Sequence, residues 1–145
     1  MSFPDMKDVQ QEGCNRAVAT AEGMGFPLDF TAESVQTLDR ILGALHDAYI
    51  RTKNDEGYRG LSVMFAAYLV EVIERNFGRG RWERSHPALG QGSFPFYWNG
   101  AMLLPVEWCQ KRIYEGPEED VWSKFRLHVG DLPNASGRRR EKGRS

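Results

Sequence analysis

Residues 61–82 constrain this chain more than any other stretch. They read Leu-Ser-Val-Met-Phe-Ala-Ala-Tyr-Leu-Val-Glu-Val-Ile-Glu-Arg-Asn-Phe-Gly-Arg-Gly-Arg-Trp. Leu61, Met64, Phe65, Tyr68, Leu69, Val72, Ile73 and Phe77 recur at intervals of three and four, the spacing of one helix face. Val63, Ala66, Ala67 and Val70 fill much of the remaining circumference, leaving Ser62, Glu71, Glu74 and Arg75 to meet water. A helix apolar on most sides has to be covered from more than one direction, so the pattern predicts a central core helix. Gly78 stands where a helix C′ residue takes positive φ, which places the helix end at Phe77. The uncharged run Leu61 to Val70 falls well short of the ~20 residues that cross a bilayer, so no membrane span is expected.

The flanking sequence supplies the covers. Asp5 to Glu22 reads as a helix with Met6, Val9, Ala17 and Ala21 on one side, broken by Gly23, Gly25 and Pro27. Phe26, Leu28 and Phe30 alternate with polar or turn residues, as in a short edge strand. Thr31 suits an N-cap for a helix from Ala32 to about Arg51, whose Val35, Leu38, Leu42, Leu45 and Tyr49 form one apolar stripe. The polar segment Thr52 to Arg59 is short enough to return this stripe antiparallel onto the central helix, giving an αα-hairpin.

After Gly80, Arg81 to Arg84 reads as a short strand and Ser85 to Ser93 as a loop. Phe94–Trp98 and Ala101–Leu104 are β-prone runs separated by Asn99-Gly100, the pair that a type I′ hairpin turn requires. Pro105 opens a helix with Val106, Cys109 and Ile113 inward and Lys111, Arg112 and Glu115 outward. Gly116-Pro117 ends it, and a last short helix turns Val121, Trp122 and Phe125 inward. Helices segregated from a small antiparallel hairpin predict an α+β fold, with one globular domain over 1–130 and a flexible basic tail over 131–145.

Charge divides in the same way. Residues 137–145 hold five basic residues and one acidic one, leaving 14 basic and 19 acidic in the rest. The acidic body, and a basic tail with no interleaved aromatics, argue against nucleic acid as partner. The N-terminus lacks a basic segment followed by an apolar one, and Cys14 and Cys109 are a lone, widely separated pair. A cytoplasmic protein with two reduced thiols is expected.

Two blocks carry a family resemblance. Ala66 to Ile73 followed by Gly78-Arg-Gly-Arg-Trp82 is the first; Leu104-Pro105, Gln110-Lys-Arg-Ile113, Gly116-Pro-Glu-Glu-Asp-Val121 and Phe125 make up the second. Together they resemble a family of small bacterial proteins of unknown function. The resemblance implies no activity to carry over; relatives of this general look lie beside toxin and secretion loci, which implies an accessory or immunity-like role.

Chemistry-bearing constellations are sparse. His46, His86 and His128 lie far apart with no metal-ligand spacing, and neither Gly78-Arg-Gly-Arg nor Gly90-Gln-Gly-Ser completes a phosphate loop. No catalytic set, metal or cofactor is therefore expected. The C-terminal half is rich in aromatics, more than one face of a small sheet can bury, so Tyr97 and Trp108 are expected at the surface beside Arg79, Arg81 and Arg84. These five residues form a candidate partner-binding face. The expected function is a non-enzymatic binding protein, an immunity or accessory factor occluding a partner such as a toxin, acting as a monomer or small homo-oligomer. An acidic body would steer it toward a basic partner. The alternative is a small hydrolase or ligand-binding domain with His46, Glu71 and Glu74 in an acidic pocket; Glu71 and Glu74 neighbour each other at i and i+3.

Overall fold

Asp5 starts the first helix by accepting a hydrogen bond from the Lys7 N–H on its carboxylate, 3.4 Å away. In the computed structural model, which describes residues 5–130, that helix is α1 (Met6–Gly23). It presents Cys14, Ala17 and Ala21 to the interior. The basic tail expected over 131–145 lies outside the described residues.

Residues 26–31 form a bent connection rather than a strand. Phe30 has φ +67°, a left-handed conformation that a bulky residue adopts only when held. Its N–H donates to the Tyr68 hydroxyl at 2.9 Å and its carbonyl accepts from Asn76 Nδ2 at 2.9 Å. The Tyr68 hydroxyl in turn lies 2.6 Å from Ser34 Oγ, which donates to the Thr31 carbonyl. The buried phenol thus satisfies a kink that would otherwise strand backbone polar groups.

The second helix, α2 (Ser34–Thr52), starts two residues later than Thr31 as N-cap implies, although the Thr31 hydroxyl still accepts from the Ser34 N–H. Its interior stripe is Val35, Leu38, Ile41 and Leu42. The central helix, α3 (Tyr58–Phe77), begins one turn before Leu61 and ends at Phe77 as expected, with Gly78 at φ +125°. Residues 64–70 of α3 are all buried, as are Val72 and Ile73. It is the core helix, but its covers differ from the expected hairpin. α3 packs closely on α1 and on α4 (Pro105–Glu115), while the α2 stripe packs on α4 and on α5 (Val121–His128). α2 and α3 still touch through Ser34 with Tyr68 and through Leu45 and Tyr49 with Tyr58, but α4 packs more closely on each of them than they do on one another.

Two small antiparallel sheets follow α3. The first has the order β1 (Arg81–Trp82), β4 (Phe96–Trp98), β5 (Ala101–Leu103); the second pairs β2 (Ser85–His86) with β3 (Gly90–Gln91). The fold is α+β. Asn99 and Gly100 both have positive φ, the geometry of the expected type I′ turn. That turn sets the register Phe96↔Leu103, Tyr97↔Met102 and Trp98↔Ala101. Trp82, Phe96 and Leu103 consequently face the core, and Arg81, Tyr97 and Met102 share the outer face. The second sheet, within a segment read as plain loop, is held by Ser93 Oγ, which accepts from the His86 N–H and donates to the Gly90 carbonyl.

α4 begins with Pro105 and stops before Gly116; a 3₁₀ turn, Pro117–Glu119, leads to α5. Arg112, expected outside, is buried. Its Nε donates to Asp39 Oδ1 of α2 at 3.0 Å, and the same oxygen accepts from the Val121 N–H at 2.9 Å. One carboxylate thus joins α2, α4 and the first turn of α5. Gly43 makes room for the guanidinium, since a Cβ there would stand 2.6 Å from Arg112 Nη2. Among the described residues no helix is long and apolar enough to cross a membrane.

Candidate functional site

The interior stripe of α1, extended one turn back from Cys14, lands on Gln10. At that position a polar side chain meets α3. Gln10 Nε2 donates to Glu71 Oε1 at 2.8 Å and to Glu74 Oε1 at 3.0 Å, so one amide bridges the two carboxylates. Arg75 Nε donates to Glu71 Oε2 at 2.8 Å, and the Gly80 N–H donates to Glu74 Oε2 at 3.0 Å. Around them the α1–α3 junction forms a half-open cavity of about 420 Å³, lined also by Lys7, Gln11, Cys14, Asn15 and Arg79. Glu71 and Glu74, expected to be solvated helix-face residues or a pocket pair, are half-buried members of this cavity.

The electrostatics follow from these contacts. Burial pushes the Glu71 carboxyl up, but the hydrogen bonds from Arg75 and Gln10 and the charges of Arg75 and Arg79 outweigh it and hold the group below its ordinary value. Such a carboxylate stays ionised at neutral pH and is a poor general acid. Cys14 is the opposite case. Burial, reinforced by Glu71, pushes its thiol to about 11, so it is neutral and unreactive. Cys109, wholly buried, is pushed to about 12 chiefly by desolvation.

The lowered Glu71 value makes a pH prediction. A depressed carboxyl contributes stability that is present above its unfolded pKa and lost as the pH falls through the folded one. Glu71→Gln should therefore be less stable than the parent at neutral pH, and the difference should vanish on acidification through the carboxylate range. Urea midpoints measured along that series check it; a difference that persists in acid contradicts the assignment.

His46 is elsewhere. Its Nδ1 donates to the Ile113 carbonyl at 2.8 Å and its ring lies beside Gly116, so it ties α2 to the end of α4 and takes no part in the α1–α3 cavity. The expected three-residue acidic pocket is thus two residues plus a structural histidine.

The candidate partner-binding residues separate as well. Tyr97 is half-exposed on the outer face of the sheet, with the Arg81 guanidinium 4.6 Å from its ring centroid. Arg81 also pairs with Glu83. Met102, opposite Tyr97 on β5, is 37% exposed and completes an outward row of Arg81, Tyr97 and Met102. Arg79 is exposed at the cavity wall and Arg84 is half-buried in the chain leaving β1. Trp108 corrects the expectation: only 9% of it is exposed, because α4 turns it toward α5, where its ring lies 5.6 Å from that of His128. Gln10, Lys7 and Arg75 were not singled out in the sequence. Gln10 had a signal, its place on the Cys14/Ala17/Ala21 stripe; Lys7 and Arg75 had none.

Among the described residues no three His, Cys, Asp or Glu side chains converge as a metal-ligand set. No family model, curated protein or solved structure matches this chain.

Proposed function

We propose that the protein is a non-enzymatic binding protein that holds a partner protein on the outer face of the β1-β4-β5 sheet, with Tyr97 as anchor and Arg81 and Met102 beside it. The observation that carries the reading is the outward row itself. A tyrosine stacked by an arginine, next to an exposed methionine, combines residue types that interfaces concentrate. Arg79, on the wall of the α1–α3 cavity, and Arg84, half-buried, are not part of this row. The resemblance to small bacterial proteins found near toxins makes a toxin the partner class to try first, with occlusion of that partner as an immunity or accessory function.

The test is capture with the full chain as bait, compared with Arg81→Ala/Tyr97→Ala. The double variant should keep the parental circular dichroism and lose the specifically retained protein by about tenfold or more, as truncated hot spots do. Equal retention by both baits, or retention of nothing, defeats the proposal.

A second reading, a ligand-binding domain, is supported by Glu71 and Glu74 sharing one cavity. Its hydrolytic form is weakened by the commitment of both carboxylates to internal donors and by the position of His46.

A further inference from the structure

The α1–α3 cavity is lined by three exposed cationic side chains, Lys7, Arg75 and Arg79, against two half-buried carboxylates. All four carboxylate oxygens of Glu71 and Glu74 already accept from Gln10, Arg75 or the Gly80 N–H. The donors are not matched in return. Among the described residues, Lys7 Nζ, the Arg79 guanidinium and the two terminal nitrogens of Arg75 have no hydrogen-bond acceptor, and all three side chains line the cavity. Lysine and arginine can only donate, so a molecule entering here meets an excess of positive charge and of N–H donors, although the amide oxygens of Gln10, Gln11 and Asn15 can still accept. We propose that this cavity binds a small oxyanion, a carboxylate or a phosphate, with Arg79 and Lys7 as its principal donors.

Three further features fit. A cation entering here would face Lys7, Arg75 and Arg79, whereas an oxyanion pairs with them and leaves the bonds on Glu71 and Glu74 in place. The Arg75 guanidinium is held 3.8 Å from the Phe30 ring centroid while its Nε is fixed on Glu71, so its remaining nitrogens are oriented before any ligand arrives. The volume of about 420 Å³ lies within the range of small-molecule sites. This site stands independently of the sheet face and of any protein partner.

The test is a side-chain NMR titration of the full chain with inorganic phosphate and, separately, with succinate, at constant ionic strength held by chloride. Saturable shifts of the Gln11 and Asn15 amides and of the Arg79 Nε–H are expected with at least one of the two. Saturation by phosphate alone marks a phosphate-bearing ligand and by succinate alone a carboxylate. Arg79→Gln should weaken that binding by about tenfold, the equivalent of one well-placed charged contact. Arg51→Gln, the same charge change on the exposed end of α2, should leave it unchanged. Linear, non-saturating shifts with both anions overturn the proposal, as does an equal loss in Arg51→Gln and Arg79→Gln.

Discussion

Asp39→Ala is expected to lower the stability of the fold by about 3–5 kcal/mol, the cost of leaving a buried charge without its partner. The Arg112 side chain is 10% exposed and that of Asp39 18%, so little solvent can substitute. The same substitution frees the Val121 N–H at the start of α5. Arg112→Met should cost less, and the asymmetry is the sharper part of the prediction. Burial raises the Asp39 carboxyl above its ordinary value, against the pull of the Val121 and Arg112 hydrogen bonds and with a further push from Asp120. Without Arg112 that carboxyl can take up a proton and keep its bond to Val121, whereas an arginine cannot shed its charge when Asp39 is removed. Equilibrium urea unfolding of the two variants decides the matter; a costlier Arg112→Met would show that the carboxylate, not the guanidinium, is the group left stranded.

Phe65→Ala should cost about 3–5 kcal/mol, the transfer free energy of the ring plus the cavity it leaves. Phe65 has no exposed surface, and its neighbours on α3 are buried on both sides of the helix between α1 and α4. A helix covered from two directions cannot close the void by moving toward one cover without losing the other. Leu127→Ala is the matched control: at 78% exposure it should stay within about 0.5 kcal/mol of the parent. Comparable losses for the two, measured by thermal or denaturant unfolding, would mean that α3 is not the centre of the core.

The sequence was most informative where one residue type answers one backbone requirement. Asn99-Gly100 gave the turn, and with it the faces of Phe96, Tyr97 and Trp98; Gly78 gave the end of α3. Periodicity identified the inward faces of the helices but not which face met which. The short link between α2 and α3 favoured their pairing, yet α4, distant in sequence, packs more closely on each of them. Polar residues were the least legible. Arg112 looked like surface by type, and nothing local marks that Asp39 awaits it 73 positions away. Gln10 continued an apolar stripe with an amide, a departure from pattern that carried the information about the cavity. Trp108 was misplaced because aromatic abundance says that some rings are exposed, not which.

The Gly78-Arg-Gly80 segment between α3 and β1 reads as a natural swivel. In the folded protein each of its glycines is pinned. The Gly78 carbonyl accepts from Trp98 Nε1 at 3.0 Å, the Gly80 N–H is held by Glu74, and a Cβ on Gly80 would stand 2.6 Å from both the Phe96 ring and the Tyr97 carbonyl. Hinge motion needs residues free to absorb a change in φ and ψ, and the contacts at Gly80 oppose such a change there. The cavity wall at Arg79 is therefore tied to the sheet on both flanks, through the Gly78 carbonyl and through Gly80. A substitution at Gly80 would disturb the cavity and the sheet together, since a Cβ there meets the Phe96 ring and the Tyr97 carbonyl.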